Sequence, residues 1–447
     1  MYKINVTKKL KKSHKRYFVQ NIIPDIKRND IKFYDDDIKQ ITENNNTYFL
    51  IKYDIQRIHD EFLEYCINNQ ERISIGNYNE LRQIEHEIEG KFPFIIALIS
   101  DKKFKFSAAH NKYRGKMYWE ALVDIFGYNN FGNCDLFDVI RDIAKNSKGI
   151  KDLNNPSNKL IVQEEIVKIT KRLFPQIVDV IERKFNNVLN INNIINIDKF
   201  KEKFIDLEKR YSLTLTLENY KNIESYGVWN SYLFVYASDI RTCPYCNRQY
   251  ITPVLTSSGK MRATLDHFLP KNRYPYFSMS LYNLVPACYN CNSSLKGRKD
   301  FDINDINPYS ESIDDYIKFE ADMRLNYRIR LNIMHKKICK YKEVDKYISM
   351  FKLKEQYNYH TNQVEELLLK RYMYSDKYIK DIKEKILNKF NISEKDIKEQ
   401  IIGYTEDKTK INDEPLSKFR RDIVEQLGFF DDYDLYLENK LEEILQK

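Results

Sequence analysis

The sequence predicts a mainly α-helical protein with a small α+β insertion near its middle. Apolar residues recur at helical spacing from about 77 to 236, and again over 340–402 and 416–447. Between 242 and 308 this spacing is lost, and Cys, Pro, Asn and Ser become frequent. With 447 residues, of which 42% are hydrophobic, the chain is long enough for about three packed domains.

These changes of pattern divide the chain into four segments. We predict a basic N-terminal arm with short elements over 1–55 and an α-helical domain over 56–240. The insertion occupies 241–310, and a mainly helical C-terminal region occupies 311–447. Within that last region, strict alternation of polar and apolar residues over 323–331 (MRLNYRIRL) predicts a half-exposed strand.

The sequence excludes several classes of protein. No apolar run approaches the roughly 20 residues that a membrane span needs. The basic N-terminus is not followed by the apolar segment of a secretory signal, so we expect a cytoplasmic protein with no membrane partner. No Walker A loop and no Gly-x-Gly-x-x-Gly motif occurs, so no ATP or dinucleotide site is predicted.

The net charge of +9 is concentrated in two stretches. Residues 1–24 contain seven bases and no acid, and residues 241–300 contain nine bases and two acids. The rest of the chain is mildly acidic. Clustered positive charge raises the local concentration of a polyanion, so nucleic acid is the predicted partner. For the N-terminal cluster the alternative is a solvated lysine-rich surface.

Four of the seven cysteines form two Cys-x-x-Cys pairs. Each pair at this spacing can present both sulfurs to one ion, and two pairs complete the four-thiolate set that Zn²⁺ prefers. Disulfides are disfavoured in the cytoplasm, and a redox motif would need only one pair. The predicted zinc ligands are Cys243, Cys246, Cys288 and Cys291. The other three cysteines, Cys66, Cys134 and Cys339, are expected to be buried free thiols.

Polar residues of three kinds lie between and beside these pairs. Asp266 and His267 are adjacent, Asn283 precedes the second pair, and Asn292 follows Cys291 directly. Together with the two cysteine pairs, these residues resemble the HNH nuclease family over about 242–308. The resemblance implies a ββα-metal HNH domain with a four-Cys zinc site, placed between helical flanking domains.

The residue types suit phosphodiester hydrolysis. Imidazole is a suitable base for activating water at neutral pH, which makes His267 the candidate. Oxygen ligands hold a hard cation that can neutralise the departing oxygen, and Asp266 and Asn292 supply such oxygens. The resemblance implies that these two hold Mg²⁺ or Mn²⁺, that His267 is the general base and that Asn283 fixes the loop. The alternatives are a structural histidine at 267 and a helix cap at 292.

Several cations in the same region are candidates for contact with a nucleic-acid backbone, although each could be an ordinary solvated charge. They are Arg248, Arg262, Lys271, Arg273, Lys296 and Arg298. Tyr274, Tyr276 and Phe277 lie among them, and they either stack on bases or pack the loop.

The sequence therefore predicts a metal-dependent HNH endonuclease, with double-stranded DNA as the expected substrate. The placement of this domain between long helical flanks, together with the stretches HFLPK and NLVPAC, is similar to bacterial anti-phage nucleases such as Septu-type HNH subunits. This similarity implies a defence effector that works beside a separate ATPase or sensor protein. Two alternatives stay open. One is a zinc-ribbon DNA-binding or scaffold protein that does not cleave, and the other is a restriction or homing nuclease.

Overall fold

The computed structural model describes the chain in two compact units. The described residues are 3–44, 54–132, 136–150, 155–185, 197–216, 219, 228–255, 260–322, 329–387, 389–403 and 407–430. The helical unit comprises Val6–Asp239 and Thr252–Val285, and the cysteine unit comprises Met1–Asn5, Ile240–Ile251 and Pro286–Lys447. Helices dominate the described residues, which confirms the mainly α prediction.

The described part of the helical unit consists mainly of helices, and the strands described in it lie within 252–285. Its helices are Lys8–Tyr17, Ile23–Arg28, Asp35–Asn44, Asp54–Asn68, Gln70–Ile75, Tyr78–Lys91, Pro93–Ser100, Tyr118–Ile125, Tyr128–Gly132, Leu136–Ser147, Pro156–Leu173, Val178–Phe185, Ile197–Tyr211 and Ser231–Ser238. Within the described ranges, no helix combines the length and the apolar character needed to cross a membrane.

Helix Tyr78–Lys91 shows how the sequence specifies these elements. Asn77 accepts hydrogen bonds from the first-turn amides, and the Glu80 carboxylate accepts one from the Asn77 amide at 2.7 Å, which forms a capping box. The buried residues of the helix recur at spacings of three and four, which places them on one face. They are Tyr78, Leu81, Ile84, Glu85 and Ile88.

Two short pairs of strands complete the helical unit. Val254–Leu255 pairs antiparallel with Lys260–Met261. Thr264–His267 pairs with Leu284–Ala287, whose Leu284 and Val285 belong to this unit. The second pair matters for the site because its first strand ends at the Asp266-His267 dipeptide.

The cysteine unit combines a hairpin with a helical C-terminal part. Strands Ile317–Asp322 and Arg330–His335 pair antiparallel with Ile317 opposite His335. Alternate residues of the first strand, Ile317, Phe319 and Ala321, are buried. The helices of this unit are Tyr341–Met350, Leu353–Tyr357, Thr361–Met373, Asp376–Asp381, Glu394–Ile402 and Ser417–Gln426.

The predicted strand over 323–331 differs from the observed hairpin. The alternating pattern continues into Arg330–His335, whereas residues 323–328 lie outside the described part of the chain. The strand Ile317–Asp322, which precedes the predicted one, was not predicted from the sequence.

Helix Ser417–Gln426 covers the outer edge of the hairpin. The Phe319 amide donates to the Asp422 carboxylate at 2.9 Å, and the Ala321 amide donates to the Gln426 side-chain oxygen at 2.8 Å. Gln426 returns a hydrogen bond to the Ala321 carbonyl at 2.8 Å. Backbone groups at an open strand edge need such partners, so the helix protects this edge from pairing with another chain.

The same helix brings three charged side chains, Lys418, Arg421 and Asp422, into the interior, where they meet Asp314 of the turn Ile313–Asp315. Lys418 is fully buried and its ammonium lies 2.8 Å from the Asp314 carboxylate and 2.5 Å from that of Asp422. The Arg421 guanidinium contacts the carboxylates of both aspartates. Burial alone would raise the pKa of Asp314, but the charges of Lys418 and Arg421 hold it well below its ordinary value. The carboxylate is therefore stable only as part of the network.

Removing one member should destabilise the cysteine unit. We expect Asp314→Asn to lower the free energy of unfolding by about 3–5 kcal/mol, because it leaves Lys418 and Arg421 with one buried carboxylate. Urea unfolding measures the difference. The control is Asp381→Asn, which breaks an exposed pair with Lys385 and should cost less than about 1 kcal/mol. Equal losses in the two variants would contradict the assignment.

Candidate functional site

Four cysteine sulfurs form a buried cluster in the cysteine unit. Their Sγ atoms all lie within 4.8 Å of one another, and the Cys246 and Cys288 sulfurs are 3.9 Å apart. Zinc–sulfur bonds of about 2.3 Å in a tetrahedron place sulfurs about 3.8 Å apart. The predicted zinc ligands, Cys243, Cys246, Cys288 and Cys291, are thus brought together in a geometry that fits a structural zinc ion.

The backbone aims amide protons at these sulfurs. The Cys288 amide donates to the Cys243 sulfur, and the Cys291 amide donates to the Cys288 sulfur, both at 3.4 Å. Asn247, which follows the first pair, has a positive φ of 50°. Its side-chain amide donates to the Ile411 carbonyl at 2.8 Å, which fixes this turn to the C-terminal part of the unit. The turn is therefore fixed by contacts from a distant segment.

Two buried tyrosine hydroxyls donate hydrogen bonds to backbone carbonyls of the first cysteine pair, Cys243 and Cys246, and its connecting residues. The Tyr347 hydroxyl donates to the Tyr245 carbonyl at 3.0 Å, and the Tyr357 hydroxyl donates to the Cys246 carbonyl at 2.6 Å. The Tyr245 ring stacks on Phe351, with centroids 4.4 Å apart. These contacts tie the cysteine pair to the helices Tyr341–Met350 and Leu353–Tyr357.

The electrostatics of the cluster favour a bound cation. Burial raises the pKa of the Cys243 thiol, but hydrogen bonds from the neighbouring thiols and from the Cys288 amide outweigh burial and lower it. Those same contacts with Cys243 raise the pKa values of Cys246 and Cys291. The Cys243 thiolate therefore forms readily, whereas Cys246 and Cys291 resist ionisation, so thiolates can coexist here only around a positive ion.

The remaining cysteines differ from one another. Cys66 is buried as expected, and burial raises the pKa of its thiol. Cys339 is exposed, so the prediction of a buried thiol is wrong there, because it lies in a turn after the strand Arg330–His335. Cys134 lies outside the described residues.

The helical unit carries the Asp266-His267 dipeptide at the end of strand Thr264–His267. Both side chains are buried, Asp266 at 4% exposure and His267 at 9%. Nε2 of His267 donates to the Ser278 carbonyl at 2.9 Å. A carbonyl only accepts, so this contact assigns the ring proton to Nε2 and leaves the lone pair on Nδ1.

Asn283 closes the segment 268–283 on which this histidine depends. Its wholly buried side chain accepts from the Leu269 amide at 2.6 Å and donates to the carbonyls of Leu269 at 3.2 Å and Phe277 at 3.0 Å. The Asn283 carbonyl also accepts from the Phe268 amide at 3.0 Å. One side chain therefore joins the two ends of the segment, with the His267 contact at Ser278 between them.

An aromatic residue from a distant helix lies against the histidine. The Tyr128 ring meets His267 edge to face, with centroids 4.2 Å apart, and the Lys271 ammonium lies 4.6 Å from the centroid of the same ring. Burial raises the pKa of Tyr128, while the charges of Arg262 and Asp266 act on it in opposite directions. Burial also lowers the pKa of Lys271. The helical unit thus gathers an acid, a base and two cations around one tyrosine.

The segment 268–283 is also anchored to the N-terminal helix. Nε2 of the buried His14 donates to the Met279 carbonyl at 2.8 Å, and Trp229 donates to His14 Nδ1 at 3.2 Å. The Ser280 hydroxyl donates to the Ile73 carbonyl at 2.5 Å. Burial lowers the pKa of His14 to about 4, and the hydrogen bond to the Met279 carbonyl offsets only part of this shift.

The cationic side chains that the sequence predicts to contact nucleic acid differ in their exposure and in their partners. Arg273 and Arg298 are exposed, and Arg273 lies over the Tyr274 ring. Arg262 donates to the Ala263 carbonyl and lies over Tyr232. Lys271 lies over the Tyr128 ring, and the last two side chains are engaged within the cysteine unit. Arg248 donates to His360 and Gln356, and the buried Lys296 lies over the Phe301 ring.

Asn292 belongs to the cysteine unit, whereas Asp266 and His267 belong to the helical unit. It lies in the π-helical turn Asn290–Lys296, where its amide donates to the Cys288 carbonyl at 3.0 Å. Its predicted role as a metal ligand stays a prediction.

Two residues near His267 were not singled out from the sequence. Tyr128 has no local signal, because it is 139 positions from the histidine that it contacts. His14 does have a local sequence signal, because it shares a helix face with Leu10 and Tyr17 in an otherwise lysine-rich helix. The aromatics Tyr274, Tyr276 and Phe277 are all buried, which favours the interpretation that they pack the loop.

Loss of one thiolate should abolish metal binding. We expect Cys288→Ser protein to contain little zinc and to melt at a much lower temperature, because structural zinc contributes on the order of 10 kcal/mol. Elemental analysis by plasma mass spectrometry, together with thermal unfolding, tests this. Cys339→Ser removes an exposed thiol of the same unit and should keep its zinc. Full zinc content and unchanged melting in Cys288→Ser would refute the zinc centre.

The buried His14 should make stability depend on pH. Its folded pKa of about 4 lies below the value of about 6.5 in the unfolded chain, so the unfolded state binds more protons between these values. Stability should therefore fall as pH drops from about 6.5 to 4, by up to about 3 kcal/mol.

His14→Gln can keep both hydrogen bonds without titrating, so its unfolding free energy should fall less over this window. Urea unfolding at a series of pH values measures the difference, and His86→Gln, which changes an exposed histidine, is the control. Parallel curves for wild type and His14→Gln would show that His14 does not titrate as described.

Comparison with known proteins gives a partial match to a phage protein. Over 73 residues the chain is 36% identical to protein ea31 of Escherichia phage lambda, and the match covers 14% of this chain and 25% of ea31. The chain therefore matches about a quarter of the length of this relative. No family model matches the chain, and no solved structure matches it.

Proposed function

We propose that the protein is a metal-dependent endonuclease of the HNH type that hydrolyses phosphodiester bonds in double-stranded DNA. The observation that carries the proposal is the arrangement around His267. A buried Asp-His dipeptide ends a strand, its histidine is oriented by a backbone carbonyl, and Asn283 closes the segment that supplies this carbonyl. The sequence resemblance to the HNH family concerns the same residues.

The tautomer of His267 suits the role of general base. With its proton on Nε2 held by the Ser278 carbonyl, the ring can accept a proton from water only at Nδ1. Contact with the Tyr128 ring further limits rotation of the imidazole. A base that is held in one orientation loses little freedom when it engages the attacking water.

Asp266 is the proposed protein ligand of a catalytic Mg²⁺ or Mn²⁺ ion in the helical unit. A carboxylate is the ligand type that these hard cations prefer, and the bound ion would neutralise charge on the phosphate and on the departing oxygen. Lys271 and Arg262, which lie beside Tyr128, are proposed to hold neighbouring phosphates of the DNA strand.

The zinc centre is proposed to serve structure and not chemistry. Four thiolate ligands leave no open position for water on the ion, which is typical of structural zinc sites. We also propose that cleavage serves bacterial anti-phage defence, with an ATPase or sensor protein as a partner. This wider role rests on the resemblance to anti-phage nucleases alone.

Plasmid cleavage tests the proposal. Zinc-loaded wild-type protein with Mg²⁺ or Mn²⁺ should nick or linearise supercoiled plasmid, and chelation of the divalent ion should stop it. His267→Ala should lower the rate by at least about 100-fold, since a general base contributes roughly 10²–10⁴-fold.

The control for the variant is His86→Ala, which removes an exposed histidine of helix Tyr78–Lys91 and should cut at the wild-type rate. Zinc content must be equal in the three proteins. Undiminished cleavage by His267→Ala would overturn the assignment of the base. Intact plasmid with every protein and either metal would reject the nuclease proposal in favour of a DNA-binding scaffold.

A further inference from the structure

In the N-terminal helix Lys8–Tyr17, here called the basic helix, the basic side chains and the buried side chains lie on opposite faces. Its buried side chains, Leu10, Ser13, His14 and Tyr17, lie within one narrow arc. At 100° per residue the six bases occupy the opposite side of the helix. They are Lys8, Lys9, Lys11, Lys12, Lys15 and Arg16. The buried face is already used within the helical unit, so only the basic face is available to a partner.

This helix is joined to the segment of the candidate nuclease site. His14 donates to the Met279 carbonyl at 2.8 Å, one residue beyond the Ser278 carbonyl that orients His267. The Lys11 ammonium lies 5.3 Å from the centroid of the Tyr282 ring, which precedes Asn283. Both contacts are made within the helical unit. The basic helix is therefore a fixed neighbour of the segment 268–283 and not a free arm.

The charge of the helix is largely uncompensated at its N-terminal end. Lys15 pairs with Glu71 at 2.7 Å, which uses one cation near the C-terminal end. Lys8, Lys9 and Lys12 are exposed, and among the described residues no carboxylate forms an ion pair with Lys8 or Lys12. The first turn contains no acidic residue. Such a face attracts a polyanion whose charges are spaced along a line.

We propose that the basic helix binds the phosphate backbone of the DNA duplex beside the cleavage site. The inference rests on the proposed nuclease function for its choice of ligand. The helix is about 15 Å long, which corresponds to the rise of about four base pairs along the duplex axis at about 3.4 Å each. An anionic membrane is a weaker candidate, because an interfacial helix inserts an apolar face and here that face is buried in protein.

Salt-dependent binding tests the inference without needing cleavage. The probe is a fluorescein-labelled 30-base-pair duplex, titrated in the absence of divalent ions with His267→Ala protein between 50 and 200 mM NaCl. Adding Lys8→Gln, Lys9→Gln and Lys12→Gln should weaken binding by at least about 10-fold at the lowest salt. It should also reduce the slope of log K against log salt by about 2–3, since each phosphate contact contributes about 0.9.

The matched control changes three exposed lysines elsewhere in the helical unit to glutamine, namely Lys102, Lys103 and Lys105. It removes the same charge and should leave affinity and slope near those of the parent. An unchanged slope in the basic-helix variant, or an equal fall in the control, would overturn the inference. So would loss of binding to phosphatidylserine vesicles with DNA binding intact.

The outcomes separate the two proposals. If wild-type protein never cleaves plasmid but the basic-helix variant loses duplex binding, the surface is real and the nuclease function is wrong. If wild-type protein cleaves and the variant binds duplex normally, the nuclease function stands and the basic helix is a solvated surface. Equal unfolding midpoints for the variant, the control and the parent must accompany either result.

Discussion

Four sulfur atoms buried within 4.8 Å of one another impose the main constraint on the cysteine unit. They can all ionise only if a cation lies among them, because each thiolate opposes the formation of the next. The surrounding chain is arranged around this requirement. Amides point at the sulfurs, Asn247 fixes the first turn to the C-terminal part, and two tyrosine hydroxyls hold the Tyr245 and Cys246 carbonyls. Without the ion, these contacts would surround four sulfurs whose negative charges repel one another.

In the helical unit, contacts from several elements hold His267 in one orientation next to the segment 268–283. Residues 268–283 include two short 3₁₀ turns, Pro275–Phe277 and Leu281–Asn283, and side chains fix these turns to the rest of the unit. Asn283 joins the two ends, His14 holds Met279, and Ser280 donates to the Ile73 carbonyl. These anchors come from parts of the chain that are far apart in sequence. A change in the N-terminal helix can therefore alter the candidate site without touching it.

The sequence predicted the mainly helical character and the cysteine cluster, because both depend on local patterns. Helical spacing identifies helices, and Cys-x-x-Cys spacing limits the ligand geometry to a few ions. Long-range contacts carry no such signal. Nothing near Tyr128 indicates that its ring meets His267, and nothing near Arg248 indicates that its guanidinium donates to His360. Of the strand predicted at 323–331, Arg330 and Leu331 lie in the strand Arg330–His335, and the continuation of that strand to His335 was not predicted. Charge patterning likewise could not distinguish a free arm from a docked helix at residues 8–17.

The chemistry of the product ends tests the nuclease account most directly. Zinc-loaded protein, duplex DNA and Mg²⁺ should give fragments with 5′-phosphate and 3′-hydroxyl ends, which are the ends that the resemblance to the HNH family implies. DNA ligase should then rejoin these fragments without prior kinase or phosphatase treatment. Uncut duplex, or fragments that ligase rejoins only after their ends are repaired, would contradict the account.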